Sequence, residues 1–385
     1  MNQPVIVLHV VGRMDMGGAE SRIMDIYRHM DRSKVQFYFA QHTSDCCFYE
    51  KEIEELGGQV FHLPRFNGVN ILAYRRAWKE LFISHPEIRV VHGHMTSTAS
   101  LYLPLAKKAG VQLTIAHARS AGVEPGVKGL VTKVLRKNLW KKSDYCFTCS
   151  QLAGMAVFGK QAMAAGRVEF IPNAIEVERF VFDGRVREEI RAGLGLTDSF
   201  VLGHVGRFSG VKNHRYLLDI LAECMVLEKQ GKLPKTVLML LGEGSLMESI
   251  RQEAKEKGLS GRVLFLGNKK DVYHYYNAMD FFLLPSFYEG LPGTAIEAQA
   301  NGVRGILSDR VTGEAVITDL LEQLSIQEPA VCWAQRIETR NKEGKENPIS
   351  LAERKEYAKQ VKEAGYDVLS QGVRLQEFYL TGALN

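Results

Sequence analysis

The sequence has no apolar run of the roughly 18 residues that a membrane-crossing helix needs; its longest candidates, such as DFFLLP at 280–285, are strand-sized. The start, MNQPVIVLHVV, has neither the basic opening nor the small-residue cleavage site of a signal peptide and reads as a strand from residue 5. Together these absences lead to the expectation of a cytosolic protein. Cysteine is scarce: of six residues, Cys46 and Cys47 are adjacent, Cys224 and Cys332 stand alone, and only Cys146 and Cys149 form a Cys-x-x-Cys. That pair falls in DYCFTCS, which reads as a strand. An odd separation there sends the two side chains to opposite faces, so neither a redox pair nor half a zinc site is expected. Low-complexity tracts and solenoid repeats are missing, and 45% hydrophobic with 24% charged residues excludes a disordered or collagen-like chain.

What is present points to more than one core. At about 100–200 residues per domain, 385 residues divide into two or three. Charge is uneven. Up to Pro172 there are 22 Lys and Arg against 14 Asp and Glu, a net of +8, whereas the remainder has 27 against 30, a net of −3. The basic half should face phosphates or an anionic membrane surface. Short apolar strands alternate with amphipathic helical stretches: 5–11 then 19–30, 35–39 then 50–56, 89–91 then 97–109, with further strands at 113–116, 145–148 and 168–171. A polar stretch without sustained period, 173–199, reads as a connection. The alternation then restarts with strand 200–205, helix 213–228, strand 236–240, helix 246–257, strand 263–265, helix 271–278, strand 280–284 and helix 293–301. This is the pattern of parallel sheets with helices on both faces. It predicts an α/β chain of two Rossmann-like, doubly wound domains, 1–172 and 173–365, facing a central cleft at the carboxyl ends of their strands, where open sheets bind ligands. The tail, 351–384, reads helical, broken at Gly365 and Gly372.

Several segments at strand ends carry chemistry. GRMDMGGAES ends the first strand; Gly17 and Gly18 let backbone approach a ligand, and a helix start attracts anions. It is not the G-x-G-x-x-G fingerprint, and no acid ends the second strand as an adenosine-ribose site requires. The same residues equally describe a turn with Glu20 capping the helix. In the second half, VLGHVGRF leads to SGVKNH and a helix. Arg207 and Lys212 there suit a diphosphate leaving group, whose charge grows as its bond breaks; two exposed basic loop residues are also ordinary surface. The segment LLPSFYEGLPGTAIEAQANG is richer. Glu289 lies in a loop and Glu297 in the following helix, and carboxylates suit a ribose diol and a sugar. Gly290, Leu291 and Pro292, with Gly293 and Thr294, offer N–H groups to phosphate. The alternative readings are a helix-dipole partner for Glu289 and a surface residue for Glu297.

His92, His94 and His117 all close strands of the first domain. Three histidines without a carboxylate pattern make a poor metal site, and none is expected. Segment 127–142, VKGLVTKVLRKNLWKK, holds six basic residues and no acid. Helical spacing puts Leu130, Val131, Val134, Leu135 and Leu139 on one face and Lys133, Arg136, Lys137 and Trp140 on the other. A Trp among lysines suits a membrane interface; a solvated face over a packed helix fits the same pattern.

The run HVGRF…KNH…LLGEGSL…FLGNKKDV…AMDFFLLPSFYEGLP…EAQANG resembles the family 4 glycosyltransferases of the two-domain GT-B fold, and within them the exopolysaccharide and capsular polysaccharide (EpsF-like) branch. The likeness extends through MGGAESRIMDIYRHMDRSKVQF, IAHARS, DYCFTCSQLAGMAVFG and FIPNAIEVERF, and so over nearly the whole chain. It implies retaining transfer of a sugar from a nucleotide-diphospho-sugar, usually a UDP-sugar, without a metal or other cofactor. By motif, Arg207 and Lys212 would hold the diphosphate, Glu297 the ribose hydroxyls and Glu289 the hydroxyls of the donor sugar. The Gly17–Gly18 loop would close over the donor, His117 would lie near the reacting centre and acceptor, and Gly242 and Asn268 near the base. The C-terminal helix, 366–385, would return to the first domain, which would take the acceptor. That acceptor would be a glycan or lipid-diphosphate-linked saccharide at the inner face of the plasma membrane, with no nucleic acid involved. The sequence departs from its relatives at Ala174, Gly293 and Arg304 without losing a charged ligand. Two other readings stand beside this one: a sugar-nucleotide epimerase of the same fold, and a non-catalytic partner of another transferase. The four retained charged residues argue against the partner, and the Glu-x7-Glu spacing with the polysaccharide-branch likeness argues against the epimerase.

Overall fold

The computed structural model describes residues 3–119, 122 and 126–384; Ser120 of the IAHARS run lies outside them. The chain forms two units, one of residues 1–174 with 368–385 and one of residues 175–367.

In the first unit seven strands form one parallel sheet: β1 (Val5–Val11), β2 (Val35–Gln41), β3 (Gln59–His62), β4 (Ile88–Gly93), β5 (Leu113–Ala118), β6 (Tyr145–Thr148) and β7 (Val168–Phe170), in the order β3-β2-β1-β4-β5-β6-β7. A strand of a parallel sheet is covered on both faces, which is why β2, VQFYFAQ, is buried at every position. Phe37, Phe39, Tyr27, Phe147 and Ile171 form the core, each large apolar side chain contributing about 1.5–3 kcal/mol by leaving water. The helix Val368–Thr381 belongs to this unit and sends Leu375, Phe378 and Tyr379 into the same core. Gly365 does break the tail, at φ 87°. Gly372 does not: it is a buried position inside the Val368–Thr381 helix, where packing outweighs the roughly 1 kcal/mol helix cost of glycine.

In the second unit six strands, β8 (Phe200–Val205), β9 (Thr236–Leu241), β10 (Val263–Phe265), β11 (Phe281–Leu284), β12 (Gly305–Ser308) and β13 (Leu321–Leu324), form a parallel sheet in the order β10-β9-β8-β11-β12-β13. Both orders reverse at an inner strand, which makes the folds doubly wound.

Two further expectations need correction. The stretch 173–199 is not a bare connection: it carries helices Val177–Phe180 and Gly184–Gly193, the second capped by Asp183, whose carboxylate accepts from the N–H groups of Arg185 and Val186. Its most buried residue is Arg191, with Arg187, Val186 and Ile190 half-buried beside it, so the apolar period is interrupted. Arg187 Nη1 donates to the Asn277 carbonyl at 2.8 Å, Arg191 Nη1 donates to Asp280 Oδ2 at 3.0 Å, and Asp280 also takes the Val201 N–H at 2.8 Å. The segment 127–142 is not one helix either. Helix Val127–Arg136 ends there, Asn138 takes a left-handed φ of 57°, and a 3-10 turn Leu139–Lys141 follows. Its exposed side is not purely basic: Leu130 and Val134 are each 64% exposed beside exposed Lys133 and Lys137, while Leu139 is buried and Arg136 turns inward to Thr96 Oγ1 at 3.0 Å. Arg136 therefore does not share a solvent face with Lys133 and Lys137. Among the described residues no helix is long and apolar enough to cross a membrane.

Candidate active site

The second unit's strand order turns between β8 and β11, and an open sheet receives ligands at the carboxyl ends of such strands. Beyond β8 come Gly206 and Arg207, the 3-10 turn Gly210–Lys212, and Asn213 at φ 53°, which starts the helix His214–Lys229. A Cβ on Gly206 would lie 3.1 Å from Lys212 Cε, so glycine there leaves room for the lysine stem. Beyond β11 comes Glu289. Lys212 Nζ meets Glu289 Oε1 at 2.6 Å, with each side chain only 17% exposed. Ser286 Oγ donates to the same oxygen at 2.9 Å, and the Phe287 N–H donates to the Val211 carbonyl at 2.8 Å, tying the two loops together. Arg207 shares the β8 loop but is exposed and makes no ion pair among the described residues.

Gly290, Leu291 and Pro292 lead into helix Gly293–Asn301, where Pro292 is the N-cap and no side chain caps the first turn. Thr294 Oγ1 is buried there without a hydrogen-bond partner. An uncapped helix start with open donors favours an anion. Glu297, expected as a ligand or a surface residue, is 3% exposed and accepts from the Tyr276 hydroxyl at 2.7 Å. A glutamate at this depth needs such a partner. Gly242 sits at φ 127°, and a Cβ on it would fall 2.2 Å from the Gly206 carbonyl oxygen, so only glycine lets the β9 loop rest on the β8 loop. Asn268 Nδ2 donates to Glu243 Oε2 at 3.2 Å on the next loop.

In the first unit Gly17 is the N-cap of helix Gly18–His29, without a side-chain cap. His117 is fully buried and belongs to a group of histidines at the carboxyl ends of β1, β4 and β5. His9 on β1 pairs in register with His92 on β4. His9 Nδ1 lies 3.0 Å from His94 Nε2, His92 Nε2 lies 2.9 Å from His117 Nδ1, and the Tyr379 hydroxyl lies 2.7 Å from His92 Nδ1. Burial pushes His9 down to about 3 and holds His92, His94 and His117 well below the usual imidazole range, so all four are neutral at neutral pH. One nitrogen from each of His9, His92 and His94 falls within 4.8 Å of the others, near enough to share one cation. Arg119 opposes that arrangement: its Nε–H donates to His94 Nδ1 at 3.3 Å, which puts the neutral ring's proton on the Nε2 that faces His9 and leaves His94 no free lone pair.

Two family descriptions match the chain, "Glycosyltransferase Family 4" over residues 16–179 and "Glycosyl transferases group 1" over residues 186–361. EpsF of Bacillus subtilis (strain 168), named as a glycosyltransferase, is 35% identical over 336 residues, covering 86% of each chain. The chain belongs to the family 4 glycosyltransferases. An Escherichia coli enzyme named UDP-Gal:alpha-D-GlcNAc-diphosphoundecaprenol alpha-1,3-galactosyltransferase is 29% identical over 57% of each chain. Among solved structures, Anabaena Alr3699/HepE in complex with UDP superposes with a TM-score of 0.77 over 97% of this chain and 99% of its own, at 18% identity, a likeness of fold. This glycosyltransferase thus has the GT-B architecture of two Rossmann-like units, and a Staphylococcus aureus relative, 25% identical over 76% of this chain and 78% of its own, is named as a capsular polysaccharide biosynthesis glycosyltransferase.

Within this glycosyltransferase the structure brings Lys212 and Glu289 into contact. Glu297 is bonded instead by Tyr276, a residue the sequence reading passed over. Tyr276 is a fully buried aromatic in helix Val272–Ala278, and nothing in VYHYYNA singles it out from its neighbours. His9, Arg119 and Tyr379 were also missed. His9 carried a signal, a lone polar residue in the apolar strand VIVLHVV, whereas Tyr379 is 287 residues from the His92 it bonds.

Proposed function

We propose that this glycosyltransferase moves a sugar from a UDP-sugar, with retention and without a metal, onto a lipid-diphosphate-linked saccharide. The observation that carries the reading is the Lys212–Glu289 contact at the β8–β11 turn, a cation and a carboxylate held side by side at 2.6 Å. Lys212 with Arg207 supplies positive charge for a diphosphate, and the uncapped start of Gly293–Asn301 adds backbone donors. Glu289 offers its second oxygen to sugar hydroxyls, and Glu297, oriented by Tyr276, is the acceptor for a ribose diol. In the reaction the bond from the sugar's C1 to the phosphate oxygen breaks and its electron pair leaves with the diphosphate. The acceptor hydroxyl forms the new C1–O bond on the same face and passes its proton to the departing phosphate oxygen. The protein then needs no separate base; it stabilises leaving-group charge and positions the hydroxyl. UDP in the HepE structure and the UDP-galactose in the name of the Escherichia coli relative support uridine as the base.

Calorimetric titration with UDP, GDP and ADP, with and without EDTA, tests the donor, and NMR of the product's anomeric proton tests retention. Tight UDP binding unaffected by EDTA and a product of the donor's anomeric configuration are expected; preference for another base, loss with EDTA or an inverted anomer would refute the corresponding part.

The acceptor half of the reading includes contact with an anionic membrane. Helix Val127–Arg136 presents exposed Leu130, Val131 and Val134, with Lys133 and Lys137 close by and Lys141 Nζ 5.0 Å from the Trp140 ring centroid. Apolar side chains ringed by lysines suit an interface of acyl chains and acidic headgroups. Vesicles containing a third phosphatidylglycerol should sediment the protein at low salt and release it at 0.5 M NaCl, and Leu130→Ser with Val134→Ser should abolish the binding. Equal sedimentation of wild type and variant would refute the contact.

A further inference from the structure

The histidine group of the first unit adjoins a cation that no carboxylate among the described residues contacts. Arg119 follows β5 directly. Its Nη1 donates to Asn173 Oδ1 at 2.8 Å and its Nε to His94 Nδ1 at 3.3 Å. Both acceptors are neutral. Among the described residues no carboxylate pairs with Arg119; Glu20 acts on it only through its field, and burial lowers the arginine's pKa. A desolvated arginine is ordinarily paired, because taking its charge out of water costs several kcal/mol.

The support beneath it has a fixed polarity. Arginine carries only donors, so the chain reads Arg119 Nε–H to His94 Nδ1, His94 Nε2–H to His9 Nδ1, with the last proton on His9 Nε2, which is buried and has no hydrogen-bond partner. The neutral His94 ring thus holds the guanidinium in place without neutralising it, while Nη2 makes no hydrogen bond among the described residues and the residue is only half-buried. A planar, preoriented fork with an open edge is the group that recognises phosphate oxygens two at a time.

We propose that Arg119 is the anchor for a phosphate-class oxyanion in the first unit. The proposal deepens the acceptor reading and rests on it for the source of the anion, the diphosphate end of a lipid-linked acceptor. The same chemistry would also take free pyrophosphate. Asn173 and His94 are positioning residues: they set the plane of the guanidinium, and the ligand touches Arg119.

The test uses the full chain in an Arg207→Ala, Lys212→Ala background, so that the diphosphate site of the second unit is disabled. Inorganic pyrophosphate and geranyl diphosphate are titrated by thermal shift. Both are expected to stabilise this background, and adding Arg119→Gln should remove at least nine-tenths of the effect. Geranyl diphosphate binding tenfold or more tighter than pyrophosphate would assign the site to a prenyl diphosphate; equal binding would assign it to the free anion. No stabilisation by either ligand, or stabilisation untouched by Arg119→Gln, would overturn the proposal. Arg119→Gln in the otherwise native chain should keep UDP affinity within about twofold, which shows that the fold is intact. If that variant fails to fold, Arg119→Lys takes its place: it keeps the charge but loses the fork, and affinity for the diphosphates should drop severalfold, an unchanged affinity overturning the proposal. Failure of UDP to bind wild type would instead strike the donor reading, so the two failures are separate.

Discussion

Replacing Glu289 by Gln should tighten the binding of UDP while impairing transfer. Without ligand, Lys212 is already engaged: its Nζ is 2.6 Å from Glu289 Oε1, and each side chain is only 17% exposed. At an effective dielectric of about 20, opposite charges at about 4 Å attract by about 4 kcal/mol, and desolvation of both ions offsets much of that. A hydrogen bond to a charged group nets about 1.5–3 kcal/mol. A diphosphate reaching Lys212 has to compete with the carboxylate and then stand beside it. Glutamine keeps the shape and the contact with Ser286 but removes both the competition and the repulsion. At 1.4 kcal/mol per factor of ten, UDP is expected to bind about 10–100-fold more tightly to Glu289→Gln. The UDP-sugar should gain less, because the sugar loses a charged acceptor for its hydroxyls, and kcat should fall by about 10²-fold or more. Calorimetry of UDP and of the UDP-sugar at one salt concentration, with the melting temperature as a check on folding, reads both effects. UDP affinity that is unchanged or lower in a folded Glu289→Gln protein would show that the Lys212–Glu289 pair does not compete with the diphosphate.

Tyr276→Phe removes a donor to a buried carboxylate, and UDP affinity should fall by about 1–2 kcal/mol, roughly 5–30-fold, with a smaller change in kcat. An unchanged UDP Kd would show that Glu297 does not depend on Tyr276 for its orientation. The buried histidines predict a pH dependence of stability. Their folded pKa values lie below the unfolded value near 6.5, so the unfolded chain binds the extra protons; stability is full above about pH 6.5 and is lost as the pH falls from there toward the folded values, about 3 for His9. Each contributes up to about 1.4 kcal/mol per pH unit in that window. Urea midpoints at pH 7.5, 6.0 and 5.0 should fall steeply, and equal midpoints would refute the neutral cluster.

The alternation of strands and helices was legible because parallel strands are buried on both faces and so read as short apolar runs. β2, β8, β9 and β11 are of this kind. Strands β3, β12 and β13 were not read. QVFH and LEQL lie at sheet edges, where half-exposed positions dilute the apolar signal, whereas GILS of β12 is buried throughout but only four residues long, with a glycine and a small polar residue at its ends. Helix Gly184–Gly193 escaped notice for a different reason. Its inward side includes Arg187 and Arg191, whose partners are the carboxylate of Asp280 and carbonyls about 90 residues away together with the nearby Thr197 and Ser199 carbonyls, and no local pattern announces a buried arginine. In segment 127–142 the periodicity was real, but period alone does not say which face is covered. Loop position after a strand singled out Lys212 and Glu289 as candidates, since that is a local property; Tyr276 on Glu297 and Tyr379 on His92 depend on contacts made only in the folded chain.

The two units treat a desolvated cation in opposite ways, and the contrast bears on function. Lys212 has its own carboxylate, so the second unit rests in a closed circuit of charge that an incoming diphosphate must open. This costs affinity, but it keeps a lysine with no ligand from being stranded at low exposure. Arg119 has neutral rings and an amide instead, so the first unit carries the penalty until an anion arrives. That state is maintained because burial suppresses protonation of the imidazoles; a charge on His94 would repel the guanidinium, whose Nε lies 3.3 Å from its Nδ1. The polarity imposed by Arg119 on His94 and His9 is thus part of the same device. A substitution such as His94→Asp would neutralise Arg119 internally. It should stabilise the ligand-free first unit toward urea and at the same time weaken the response to pyrophosphate, a pairing of opposite effects that simple loss of packing would not produce.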